Sequence, residues 1–173
     1  DLENILLTCD EFAIDLEHHN YRSYQGFTCL MQISTRKDDF LIDTLEPIIR
    51  DNLHLLNSAF ANPNIIKIFH GADMDIQWLQ RDFGLYVVNL FDTGQASRVL
   101  DFPSFSLRAL LKKFCDVEVD KKYQQADWRK RPLSAEMLLY ARQDTHFLIY
   151  IADRLRNEAI ALSGSNSQLV SRA

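Results

Sequence analysis

Along residues 11–17 apolar and polar side chains alternate, and this period of two predicts a β-strand with Phe12, Ile14 and Leu16 on one face and Asp15 and Glu17 on the other. Ahead of it, Leu2, Ile5, Leu6 and Cys9 keep helical spacing with no cap in front, so residues 1–9 read as the end of a helix in a longer chain. A polar loop rich in aromatic residues, 18–26, leads to a second strand at 28–34. A turn at 35–38 leads to a third at 40–43, and a turn this short implies antiparallel pairing. The pattern then changes to a helix at about 51–61, a buried strand at 65–70, a helix at about 73–82 and a fifth strand near 87–91, an alternation that implies parallel crossovers. The rest is helical: about 93–100, then 106–115 behind a Ser106 cap, then one long helix from its N-cap Ser134 to about 161. Residues 163–167, SGSNS, have linker composition. Three antiparallel strands followed by two parallel ones, with helices on both sides, make a mixed α/β sheet. Ligands in such sheets sit at the carboxyl ends of the central strands, where Asp15 and Glu17 fall.

Composition narrows the class more than the function. With 173 residues, 47% of them hydrophobic, the chain can bury a core as one domain without disulfide or metal staples. Cys9, Cys29 and Cys115 are widely spaced and lack histidine partners at ligand spacing, so they read as structural thiols of a reducing compartment rather than zinc ligands. No apolar run approaches the roughly 20 residues that span a bilayer. The first residues also lack a basic signal-peptide region, so the expectation is a soluble intracellular protein with no membrane role. A formal net charge of −5 argues against coating nucleic acid by charge alone. Lys112, Lys113, Lys121, Lys122, Arg129, Lys130 and Arg131 nevertheless gather in one region.

Two carboxylates side by side on a strand face repel unless water surrounds them or a cation sits between, and oxygen donors of this kind suit Mg²⁺ or Mn²⁺. Two further acids stand out. Asp75 lies where the fourth strand gives way to a helix, and Asp144 shares a helix face with Tyr140 at i,i+4. Each has a plainer reading. A lone Asp-x-Glu is more often a solvated strand face, Asp73 and Asp75 complement a helix dipole, and a Tyr–Asp pair at this spacing is most often an ordinary helical contact.

Taken in order, Asp15-Leu16-Glu17, then Asp75 within HGADMD, then Tyr140-x-x-x-Asp144 resemble the three motifs of the DEDDy exonucleases, a group of DnaQ-like proteins with an RNase H fold. The phrases DLEHHNYRSYQGFTCLMQIST, FHGADMDIQWLQRDFGLYVVNLFDT and ADWRKRPL followed by YARQDTHFL are similar to the RNase D branch, in particular its members associated with the nuclear RNA exosome. Gln143 departs from the acidic residue many members carry there. The helical HRDC domain that usually follows, and the N-terminal cofactor-binding region of the nuclear members, are not in this sequence.

The resemblance implies an RNase H-like sheet of five strands flanked by helices, an exonuclease domain over 1–161, and a tail at 162–173 leading towards an HRDC-type domain. It implies a 3′-5′ exoribonuclease that releases nucleoside 5′-monophosphates by two-metal-ion catalysis. The two divalent cations, Mg²⁺ or Mn²⁺, would be held by Asp15, Glu17, Asp75 and Asp144. Two such ions stabilise both the attacking and the leaving oxygen of an in-line displacement. Tyr140 would orient the attacking water and accept its proton. For the substrate, Glu17 would bond the terminal 3′-OH and His18 and Trp78 would flank the last base, with Tyr140, Trp128, Arg129 and Arg131 as further RNA contacts. Asp92 reads as a helix cap, and His70 and His146 as buried hydrogen-bonding residues. The implied partners are single-stranded RNA 3′ ends and the RNA exosome, with ribosomal-RNA precursors among the substrates, in the nucleus, and the implied state is a monomer. The competing readings are a catalytically weak RNA-binding module and a DNA-directed 3′-5′ exonuclease of the same superfamily.

Overall fold

The computed structural model of the chain describes residues 2–21 and 24–165. Its strands are β1 (Glu11–His19), β2 (Phe27–Ser34), β3 (Asp39–Ile42), β4 (Ile66–Phe69) and β5 (Leu90–Asp92), joined in one five-stranded sheet of order β3-β2-β1-β4-β5. β1 pairs antiparallel with β2, and β2 with β3; β4 runs parallel to β1, and β5 to β4. The mixed α/β architecture expected from the sequence is the one observed, with β1 in the centre.

The alternation in β1 divides the protein into two layers. Phe12, Ile14 and Leu16 join Met31, Ile33 and Phe69 in the larger core, beneath Leu6 of α1 (Leu2–Leu7). The segment expected as one helix at about 51–61 is instead α2 (Pro47–Asn52), a 3₁₀ turn (Leu53–Leu56) and α3 (Asn57–Phe60). Leu53, Leu56, Ala59 and Phe60 turn into that core, which α4 (Asp73–Phe83) completes with Leu79 and Phe83. On the other face, Ala13 and Ile68 pack under Leu148, Ile149 and Ala152, and Leu30 packs with Trp128, Met137 and Ala141. The helices of this layer are α5 (Thr93–Val99), α6 (Leu107–Cys115), α7 (Ala135–His146) and α8 (Leu148–Ser165).

Three boundaries differ from the sequence expectation, each for a local reason. β5 begins at Leu90 rather than near 87, because Asn89 takes a left-handed backbone (φ 62) that ends the preceding extended run. The long helix expected from Ser134 to about 161 breaks at Phe147, whose N–H turns to the Thr145 carbonyl. It then runs on to Ser165, so the tail expected at 162–173 is helical as far as Ser165 and from 166 lies outside the described residues. Among the described residues no helix is long and apolar enough to cross a membrane. The three cysteines are free thiols.

Candidate active site

β1 carries Asp15 and Glu17 on the face that α7 covers. Paired with Gln32 and Leu30 across the antiparallel ladder, they sit in the later half of the strand, just before a bulge between Glu17 and His18. Gln32 is fully buried and donates Nε2 to Glu17 Oε1 at 3.2 Å. Asp144 on α7 completes a tight group, in which Asp15, Glu17 and Asp144 each offer an oxygen within 4.8 Å of the others. Asp75 enters from the first turn of α4, at the carboxyl end of the strand beside β1. It stands outside that group of three, yet its charge acts on Glu17 and the charge of Asp15 acts on it.

Two polar clamps set these elements. At the start of α4 the N-cap residue, Ala72, has no side-chain oxygen, and Asp92 at the end of β5 supplies one from a distance. Its Oδ1 accepts from Gly71 N at 3.0 Å, Gly94 N at 2.8 Å and Gln95 N at 3.1 Å, while Oδ2 accepts from Ala72 N at 2.9 Å. One carboxylate therefore caps two helices and fixes the turn that delivers Asp75. The cap expected of Asp92 is present, together with a second one for α4. α7 is held by Asp39, which accepts from Arg142 Nε at 2.7 Å, Ser34 Oγ at 2.7 Å and His146 Nδ1 at 2.9 Å. Ser34 Oγ also lies 2.7 Å from Thr145 Oγ1, next to Asp144.

The resulting electrostatics are unfavourable for four anions. Burial first, with only one backbone hydrogen bond working against it, pushes the Asp15 carboxyl up to about 7. Burial and the charge of Asp15 raise Asp144 to about 8, and burial with Asp15 and Asp92 raises Asp75 to about 9. Glu17 is held well above the carboxylate range by burial and then by Asp15 and Asp144. Tyr140 is half-buried one helical turn before Asp144. Its hydroxyl bonds to the Asp144 carboxyl, and burial followed by the charges of Asp144 and Glu17 pushes its pKa up, so it keeps its proton. An all-oxygen donor set whose members resist ionising together fits a hard divalent cation, which would relieve both the desolvation and the repulsion.

Asp15, Glu17 and Asp144 open onto a cleft of about 1110 Å³. One wall is β1 and its following loop with Trp78, Tyr140 and Asp144; the other comes from α6 and the 119–129 segment, with Ser106, Arg108, Gln124 and Gln125. Of this second wall sequence reasoning named only Arg129 as a contact, because no motif marks Ser106, Arg108, Gln124 or Gln125. His18 and Trp78 do not leave a gap for a base between them. Their rings stack directly, centroids 4.0 Å apart and planes 5° from parallel, with Arg81 Nη2 at 3.3 Å from His18 Nε2. Gly26 lies against this pair with φ +62, where a Cβ would collide with the His18 ring and the His19 carbonyl.

Several expected contacts are corrected. Trp128 is 2% exposed and packs behind Tyr140 with ring centroids 6.1 Å apart, so it cannot touch RNA directly. Arg131 grips Asp43 with two hydrogen bonds of 2.6 Å and also bonds the Cys29 and Trp128 carbonyls, a structural role. Arg129 does line the cleft, but its guanidinium is bonded to Asp127 at 2.8 and 2.9 Å. His70, half-buried, pairs with Thr93 Oγ1 at 3.0 Å, whereas His146 is exposed rather than buried.

A 3′-5′ exonuclease family profile matches residues 1–160. The chain is 60% identical over 158 residues to exosome complex component 10 of Homo sapiens, covering 91% of this chain and 18% of that protein. It is 61% identical over 150 residues to the exosome complex exonuclease RRP6 of Saccharomyces cerevisiae, covering 87% of this chain and 20% of that one. The fold superposes on the catalytic core of RRP6 from Trypanosoma brucei with a TM-score of 0.88 at 54% identity, over 95% of this chain and 44% of the other. It superposes on Escherichia coli RNase D with a TM-score of 0.84 at 25% identity, over 92% and 42% of the two chains. The chain thus spans about a fifth of the length of these curated relatives.

Proposed function

The chain belongs to the 3′-5′ exonuclease family, and from that premise we propose that it is a 3′-5′ exoribonuclease releasing nucleoside 5′-monophosphates one at a time. The observation that carries this reading is the convergence of Asp15, Glu17, Asp144 and Tyr140, from two separate elements, on one cleft, with Asp75 of a third element coupled to Asp15 and Glu17 by charge, where the acids resist ionising unless a cation joins them. The cofactor is a pair of divalent ions, Mg²⁺ or Mn²⁺, held by those four carboxylates. When bound, such ions neutralise the acids and stabilise charge on the phosphate oxygens of the displacement.

The residues of the chain supply the rest. Gln32 holds one oxygen of Glu17, which leaves the other to face the metal and the terminal 3′-OH. The Tyr140 hydroxyl donates to Asp144, so its oxygen is left to accept a hydrogen bond from the attacking water and orient it. The terminal base extends the His18–Trp78 stack on its outer side instead of entering between the rings, since stacking on an aromatic platform holds single strands without reading sequence. Family relatives are exosome components by name, which supports association with that complex, a nuclear location and RNA-precursor substrates for the protein that contains this domain.

The test is digestion of matched 3′-OH RNA and DNA oligonucleotides with Mg²⁺, Mn²⁺ or EDTA. Asp144→Asn is expected to lower kcat by about a hundredfold or more and Tyr140→Phe by about tenfold or more, and EDTA to abolish cleavage. Near-full activity of Asp144→Asn would sink the assignment, and equal cleavage of DNA would remove the RNA preference.

A further inference from the structure

The basic residues near the cleft are almost all bonded to acids. Lys112 pairs with Asp116 and Glu118, Lys113 with Glu158, Lys122 with Asp120, and Arg131 with Asp43. Of the two arginines that line the cleft among the described residues, Arg129 is engaged by Asp127 through two hydrogen bonds. The other is Arg108, exposed on the second residue of α6. Among the described residues its guanidinium has no hydrogen bond or ion pair, and Asp120 feels its charge only through space.

This matters because the cleft is otherwise acidic, with Asp15, Glu17, Asp127 and Asp144 in its lining. Cations bound by the carboxylates offset charge only where the scissile phosphate lies. The remaining phosphates of a strand need a positive partner on the protein, since neutralising phosphates supplies most of the affinity for a nucleic-acid backbone. An arginine answers that need better than a lysine: it is always charged and its planar fork meets two phosphate oxygens at once. Gln124 and Gln125 flank the same wall with uncharged amide donors.

We propose that Arg108 binds a backbone phosphate on the 5′ side of the scissile one, with Gln124 and Gln125 bonding the adjoining sugar-phosphate. This deepens the exoribonuclease reading and rests on it. Any strand length-dependence of activity then originates at this wall, while the chemistry resides at the acids.

The experiment compares wild type, Arg108→Ala and Arg108→Lys on a dinucleotide, whose sole phosphate is the scissile one, and on a 12-nucleotide oligo(A), with binding of the fluorescently labelled oligo(A) followed by anisotropy at several salt concentrations. For Arg108→Ala the ratio of kcat/KM on the 12-mer to that on the dinucleotide is expected to fall about tenfold, mostly through KM. Its binding should weaken similarly, with a log–log salt slope shallower by about 0.7, the single-strand value for one phosphate contact. Arg108→Lys should recover most of the slope and only part of the affinity. Equal losses on both substrates, or unchanged binding by Arg108→Ala, would overturn the inference. Failure of the wild type to cleave either substrate would instead overturn the exoribonuclease reading, and the anisotropy would still judge Arg108.

Discussion

Asp15→Asn should stabilise the metal-free protein. A carboxyl whose pKa is raised on folding binds its proton more tightly in the folded state, so its contribution is full below the unfolded value and is lost as pH rises through the folded one. For Asp15 that window runs from 3.8 to about 7. At about 1.4 kcal/mol for each pH unit, the ionised Asp15 costs the folded state up to about 4 kcal/mol above pH 7. Asp144 and Asp75, raised to about 8 and about 9, extend the decline upward. Burial is the first cause of each shift, and the charge of Asp15 enters the other two, so they do not add. The substitution removes one charge from the set and weakens one bond from the Leu16 backbone, for a net gain of about 2–4 kcal/mol at pH 8 in EDTA. That is about 4–16 °C in Tm for a chain of this size. His18 and His70, whose pKa values are lowered by burial, act with the opposite sign near pH 6.5, and both are present in the two proteins being compared. The assay is thermal and urea denaturation at pH 5, 6, 7 and 8, in EDTA and in Mg²⁺. Wild type should lose stability between pH 5 and 8 in EDTA and regain it with Mg²⁺, while Asp15→Asn should lose less over that range, through Glu17, Asp75 and Asp144 alone, and regain less with Mg²⁺. A wild type equally stable at pH 5 and 8 without metal, or an Asp15→Asn protein less stable than wild type at pH 8, would refute the reasoning.

Two other substitutions probe how the site is held. Asp92→Ala strips the acceptor from four backbone N–H groups and should cost about 2–4 kcal/mol in urea unfolding; because the same turn delivers Asp75, kcat should fall at temperatures where the variant is still folded. Gly26→Ala places a methyl against the His18 ring at a left-handed position, so it should cost about 1–2 kcal/mol from the backbone alone and raise KM for RNA severalfold, whereas Gly84→Ala, with φ +66 but open space around it, should show the backbone cost without the KM effect.

The legible parts of the molecule were those with local causes. The period of two in β1 gave the strand, its buried side and its acidic side, and Ser106 and Ser134 marked two helix starts because each side chain caps its own helix. The acids became a site through their order along the chain and through the topology, since the switch from antiparallel hairpins to a parallel crossover puts β4 beside β1. What stayed hidden had distant causes. Arg131 looked like part of a basic surface, yet its partner Asp43 is 88 residues away. Trp128 looked like an RNA contact until burial against Met137 and Tyr140 turned it into a support. The break at Phe147 has no glycine or proline to announce it; it arises because α7 must lie over β2 and β3 while α8 follows β1 and β4.

That break has a dynamic consequence. A continuous helix would have tied Tyr140 and Asp144 rigidly to α8, whose Leu148, Ile149 and Ala152 pack on Ala13 and Ile68, so that losing them meant pulling α8 from the sheet. Interrupted at Phe147, α7 ends in a turn and is fastened to the sheet edge by Asp39, Ser34 and the side chains of Arg142, Thr145 and His146. Separated from α8 in this way, α7 is expected to open at a lower free energy than α8, against the packing of Met137 and Ala141 on Leu30 and Trp128. In amide hydrogen exchange its protection factors would then fall in a separate class from those of α8, and the fraction of molecules competent for catalysis would be set by that local opening equilibrium rather than by the melting of the fold.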